Sequence, residues 1–202
     1  MGLWVVLLFV AALWLAQAYS TPIQHALQNH SRLAIVLFVA TSVVAVLVPM
    51  LTNLPLVPLA VLAWGPWWTA LMLLTGWVAG AALSFLLARR ARMLVLRCFP
   101  SATRHADIDR LIHPQHRLTS LILLRMSFPV DVLSYALGLF SRHTTVTENA
   151  LTTALGAAPF ALLFSHFPTL SPKFQLIVFV TSALVFVAYT MWVLRTTTRS
   201  SL

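Results

Sequence analysis

Apolar positions run through this chain in long blocks, and polar residues gather in the gaps between them. Leu3–Tyr19, Leu33–Met50, Trp67–Ala88 and Leu118–Phe140 are four such blocks. Ala150–His166 and Phe174–Leu194 follow, separated by Pro168 and Pro172. Several approach the ~20 residues that a helix needs to cross a bilayer. Leu54–Ala63 is too short to span and carries Pro55 and Pro58, which remove two backbone donors and bend the chain. Irregular backbone at membrane depth is tolerated only inside protein or beside a water-filled cavity. Asn53–Trp64 is therefore predicted to be one arm of a re-entrant hairpin, with a turn at Gly65-Pro66. Leu118–Phe140 has the same grammar: an apolar arm, Pro129, a second apolar arm, then Gly138. Pro55, Pro58 and Pro129 are the expected hairpin breaks. Hairpin plus following helix then recurs as 51–88 and 118–166, the pattern of an inverted-repeat transporter. The predicted fold is an all-α integral membrane protein: an inverted repeat of re-entrant hairpin plus transmembrane helix, with flanking transmembrane helices, in a single domain over 1–202.

Composition agrees with a lipid solvent. Of the 202 residues, 60% are hydrophobic and 8% charged, and the mean hydropathy is +0.90. A net charge of +9 would suggest nucleic acid in a soluble protein. Here the basic residues sit between apolar blocks and read as topology signals, so no nucleic-acid partner is expected. Suppose the connector 89–117 is cytoplasmic and each broken stretch returns to the face it came from. The seven connector arginines then join Arg32, Arg142, Arg195 and Arg199 inside, against Lys173 outside, eleven to one. That bias predicts a cytoplasmic connector and C-terminus. The single Cys98 excludes an internal disulfide and a Cys-rich metal site. At the N-terminus, Ala16-Gln17-Ala18 resembles a signal-peptidase site, but no Lys or Arg precedes the apolar run. The missing charged segment favours a retained first helix over a cleaved one.

The candidate chemistry lies in Leu118–Phe140. Arg125 and Asp131 are six positions apart beside a helix breaker. Either charge at the centre of a spanning helix costs about 2.5–3.5 kcal/mol. Intramembrane ionisable residues mark pathways, relays or pairing sites. Elsewhere, Gly76, Gly80, Ser84 and Ala88 recur every four residues and allow another helix to approach closely. The expected partner is a hairpin of the same chain, with a homodimer face as the alternative. Glu148, before the fifth long block, reads as a helix N-terminal charge. In the connector, Pro114 separates His113 from His116 and disrupts a helical metal pair. No metal and no cofactor is expected.

Two stretches carry a family resemblance. Leu54–Arg90 runs from a Pro-rich start through Gly65, then G-x-x-x-G at Gly76 and Gly80, into Phe85 and Arg89. Leu123–Phe140 and Thr153–Phe164 supply Arg125, Pro129, Asp131, Tyr135, Gly138, Gly156 and Pro159. Together they resemble the DedA superfamily, in its SNARE-associated Golgi or VTT-domain branch, over roughly residues 50–165. The resemblance implies two facing re-entrant hairpins and lipid translocation. Bacterial relatives recycle undecaprenyl phosphate and eukaryotic relatives scramble phospholipids. It also implies a bacterial inner-membrane flippase or scramblase rather than an enzyme, with membrane lipids bearing anionic phosphate headgroups as partners. Some relatives carry a Glu in the first hairpin, which 51–66 lacks. Asp131 is left as the membrane-depth carboxylate for proton coupling.

On this reading Arg125 binds a lipid phosphate through its bidentate fork. Asp131 holds the arginine when the site is empty, and Ser134 and Tyr135 add hydroxyl contacts. The alternatives are a non-transporting membrane scaffold and, less favoured, an intramembrane enzyme. No G-x-S-x-G or H-E-x-x-H motif appears, and four acidic residues offer little acid–base chemistry.

Overall fold

The computed structural model describes residues 31–48, 51–98, 112, 114–141, 143–171, 173–175, 177 and 180–181. The Leu3–Tyr19 block, connector residues 99–111 and most of the last block lie outside them. Five helices are described: α1 (Ser31–Leu47), α2 (Val57–Cys98), α3 (Arg117–Ser127), α4 (Val130–Phe140) and α5 (Val146–His166). Short 3-10 turns at Leu54–Leu56 and Pro114–His116 lead into α2 and α3. No strand occurs among the described residues.

α2 is broken at Gly65, whose φ of 79° and ψ of 167° lie where only glycine rests without strain. Pro66 then begins the long arm, at a position where its fixed φ suits a helix start and its missing N–H costs nothing. The short arm before the break runs antiparallel to α1. Asn53 at its head donates its side-chain amide to Ser42 Oγ, and Trp64 at its end packs on Phe38, with ring centroids 6.2 Å apart. The long arm runs parallel to α1. Gly76 lies against Val39 and Ser42, and Gly80 against Val43 and Val46. Ser84 Oγ donates to Val46 O at 3.2 Å.

The first hairpin therefore consists of α1 and the short arm, reversing between Leu47 and Asn53. This corrects the predicted breaks. Pro55 sits in the 3-10 turn and Pro58 in the first turn of α2, where prolines initiate helices rather than break them. The hairpin begins at α1, not at residue 51. Arg32 changes ends with it. Ile35 shares an apolar cavity of about 490 Å³ with Trp64 and Trp68, so the start of α1 lies at the Trp67 end of the long arm. The charge count had placed Arg32 with Arg89.

The second hairpin reverses where predicted. Phe128 (φ −122°, ψ 148°) and Pro129 (φ −55°, ψ 144°) are extended, because a proline disfavours helix at the residue before it. α5 opens with a capping box. Thr145 N donates to Glu148 Oε2 at 2.9 Å, and Glu148 N donates to Thr145 Oγ1 at 3.1 Å. Glu148 thus caps its helix, as its position predicted, and also lies 3.7 Å from Arg117 Nη2. α3 runs parallel to α5. Arg117 meets Glu148 near the start of both, and Gly156 further along lies against Ile122 and Arg125.

The long arm of α2 runs antiparallel to α5. Asn149 Nδ2 donates to Ala81 O at 3.0 Å, while Trp67 meets His166 edge-on at 4.8 Å. The small-residue row has two partners. Its first three positions pack on α1, an arm of the first hairpin. Ala88 packs on α4, where a Cβ on Gly138 would come 2.6 Å from Phe85 O and 2.7 Å from Ala88 Cβ.

One apolar core gathers Phe38, Val57, Ala60, Met72, Leu73 and Ala161. A second gathers Phe85, Ile112, Leu121, Leu133 and Leu137. Outside them large apolar side chains face outward along α1, α2 and α5, an exposure that water would not tolerate over so much surface. Leu54–Met93 and Val146–Thr169 are long and apolar enough to cross a membrane. Phe167–Leu202 forms a second compact unit. Within it Gln175 Nε2 donates to Leu170 O at 2.9 Å and to Pro168 O at 3.2 Å.

Candidate functional site

Arg125 is the described charge most fully removed from solvent, with 2% of its surface exposed. Position follows from local sequence. α3 must end before Pro129, so Arg125 falls in its last turn, beside the reversal. There the guanidinium folds back over the start of α4. Nη1 donates to Val130 O at 2.7 Å and to Ser134 Oγ at 2.9 Å. Nη2 donates to Asn149 Oδ1 on α5. Nε is buried without a hydrogen-bond partner. Gly156 makes this approach feasible, because a Cβ there would lie 2.6 Å from Arg125 Cβ.

Each acceptor is itself held. Ser134 Oγ donates to Val130 O at 2.7 Å, so serine and carbonyl share one end of the guanidinium. Asn149 is fully buried and bridges Arg125 to the long arm through Ala81 O. Arg125 thereby ties α3, α4 and α5 together, and α2 through Asn149. All three acceptors are neutral. A buried guanidinium facing only neutral oxygens keeps its charge uncompensated, an arrangement that is expensive and usually functional.

The expected Arg125–Asp131 pair does not form. Asp131 sits half-buried in the first turn of α4 with no hydrogen bond or ion pair among the described residues. Pro129 is the reason. By turning the chain between the two charges it places Val130 O and Ser134, rather than Asp131, over the guanidinium. Asp131 instead lies where a helix N-terminus favours a negative charge. Ser134 joins the site as expected. Tyr135, its neighbour, does not, because its hydroxyl donates to Leu47 O of α1 at 2.6 Å.

Sequence reasoning missed Asn149 and Ser42. Asn149 stands next to a helix start, where polar residues usually cap, so nothing marked it as buried. Asn53 and Ser42 form a second buried polar pair, at the first hairpin. Arg89, which the resemblance singled out, holds the α4–α5 connection. Its Nη1 donates to Thr144 O at 3.0 Å and Ser141 O at 3.3 Å, and its guanidinium lies 5.5 Å from the centre of the Phe85 ring. Among the described residues no three His, Cys, Asp or Glu side chains converge as metal ligands would.

A family model described as the VTT domain, the domain of the DedA and SNARE-associated Golgi protein family, matches residues 48–169. That is 122 of the 202 residues, and it takes in Arg125, Asn149 and both glycines of the α2 row. Neither a curated protein nor a solved structure matches the chain.

Proposed function

This chain belongs to the VTT-domain family, and on that premise we propose that it carries a phosphate-bearing lipid across the membrane, with Arg125 as the headgroup contact. The observation that supports this reading is the buried guanidinium without a carboxylate. Its three acceptors are neutral, so a phosphate exchanging with them adds an opposite charge and a two-pronged fit that the resting site lacks. Asp131, half-buried in the first turn of α4, is the carboxylate that a proton-coupled cycle would use.

The membrane arrangement belongs to the same proposal. Each half of the chain is two arms followed by a helix parallel to the first arm, and the two long helices are antiparallel. We read the halves as an inverted repeat whose hairpins re-enter the bilayer. The packing supports the equivalence. Gly76 seats against Val39 O and Ser42 Cβ, and Gly156 against Ile122 O and Arg125 Cβ, the same three-residue step. Trp67 and Trp68 are 70% and 65% exposed and suit one interface. Arg89, Arg90 and Arg117 suit the other, assigned to the cytoplasm of a bacterial inner membrane.

The test is lipid flipping in reconstituted vesicles, using a fluorescent phospholipid and a polyprenyl phosphate in separate arms. Arg125→Lys keeps the charge but loses the fork, and is expected to slow flipping at least tenfold with the fold retained. A folded Arg125→Lys variant that flips at the wild-type rate overturns the assignment. A second reading, a non-transporting scaffold, is favoured by the full enclosure of Arg125, which suits a fixed tie. Wild-type protein that flips neither lipid while melting cooperatively selects it.

A further inference from the structure

Ser134 and Tyr135 are consecutive on α4 and serve different partners. Ser134 Oγ accepts from Arg125. Tyr135 Oη donates to Leu47 O, and Leu47 is the last residue of α1. The final carbonyls of a helix have no partner within it, so the phenol satisfies a group that α1 cannot. Among the described residues no other side-chain hydrogen bond joins α1 to α4. α4 thus lies as a bar between the end of the first hairpin's leading arm and the arginine of the second.

α4 is bounded at both ends by breaks in the helical backbone. Extended residues flank it on both sides, Phe128 and Pro129 before and Ser141 after. It approaches the α2 backbone closely at Gly138, against Phe85 O, toward its far end. Pivoting there swings Val130 and Ser134 away from the guanidinium, but only once the Tyr135 bond has broken.

We propose that Tyr135 is a latch: a positioning residue that holds α4 against the end of α1 and so keeps Arg125 covered between transport events. This rests on the reading of Arg125 as the headgroup contact. It replaces the expected role of Tyr135 as a headgroup ligand, since the hydroxyl is already committed to Leu47. A latch has an uncommon mutational sign. Removing a stabilising bond ordinarily slows a transporter or unfolds it, whereas removing a latch favours the open state and speeds lipid exchange.

The experiment pairs amide hydrogen exchange with flipping of a fluorescent phospholipid, on the full chain in vesicles of phosphatidylethanolamine and phosphatidylglycerol. In Tyr135→Phe, exchange is expected to rise about fivefold at residues 44–48 and 133–137, the size of losing one neutral hydrogen bond. Exchange along α5 should not change, and flipping should speed up. Unchanged exchange at those two segments, an even rise over all helices, or slower flipping overturns the latch. Should the variant not fold, the wild type still decides. A latch requires one common opening constant for 44–48 and 133–137, and unrelated constants refute it. Wild-type protein that flips no lipid, with the two segments loosened in Tyr135→Phe, overturns the transport reading and leaves the contact standing. A flipping wild type with an inert Tyr135→Phe overturns the latch alone.

Discussion

Gly156→Ala offers a direct test of how closely α3 and α5 approach. The added Cβ would stand 2.6 Å from Arg125 Cβ and 3.2 Å from Ile122 O, whereas carbon pairs rest at about 3.5–4.0 Å. Both neighbours are bound rigidly to the α3 backbone, so α3 must retreat by roughly 1 Å. Overpacking of this kind costs about 1–3 kcal/mol. The retreat also stretches the bond from Arg125 to Asn149, a charged-group bond that contributes about 1.5–3 kcal/mol. Alanine's better helix propensity returns up to about 1 kcal/mol. The net loss is about 2–5 kcal/mol, or roughly 5–15 °C in Tm for a chain of this length. Thermal unfolding in detergent reads it, with Leu155→Ala as the control. Leu155 is 54% exposed on the same helix, and its variant should melt near the wild type. If Gly156→Ala melts at or above the wild type, propensity outweighs packing and the close seat of Arg125 is wrong.

Three further outcomes are expected. Asn149→Ala removes the acceptor of Arg125 Nη2 and the donor to Ala81 O. It should cost about 2–4 kcal/mol by thermal unfolding, and a loss under 1 kcal/mol would mean that the bridge is idle. Thr145→Ala opens the capping box of α5 and should cost about 1 kcal/mol, with faster amide exchange confined to the first turn of α5. Gly65→Ala meets no atom within 4 Å, yet its φ is +79°. It should lose about 1–3 kcal/mol from backbone strain alone, and an unchanged Tm would show that the bend relaxes freely.

Helix content, the second reversal and the membrane setting were legible because each follows from local chemistry. Pro129 excludes helix at Phe128, and outward-facing leucines are intelligible only in lipid. Glu148 was likewise legible, since Thr-x-x-Glu caps a helix through its own backbone. The first hairpin was misread. Pro55 and Pro58 attract attention as breakers, but at the start of a helix a missing N–H has nothing to break. Pro49 marks an end to the apolar block but not a return of the chain along it, and α1 is apolar enough to pass for a full span. The chain alone therefore starts the unit at residue 51 rather than at α1, and places Arg32 at the Arg89 end.

The charges show the same division. From the chain alone one can say that Arg125 and Asp131 lie near a break in an apolar block, and that burying either is costly. Their spacing cannot say whether they meet, because a single turn of backbone at Pro129 decides which oxygens cover the guanidinium. Burial of Asn149, contact of Tyr135 with Leu47 and the seating of Gly156 on Arg125 join residues 24 to 88 positions apart in the chain. Such contacts exist only once helices pack. Local sequence determined where the chain can be helical, where it must turn and which solvent it needs. Packing alone decided that the buried arginine faces neutral oxygens, which is the feature that makes an anion its natural ligand.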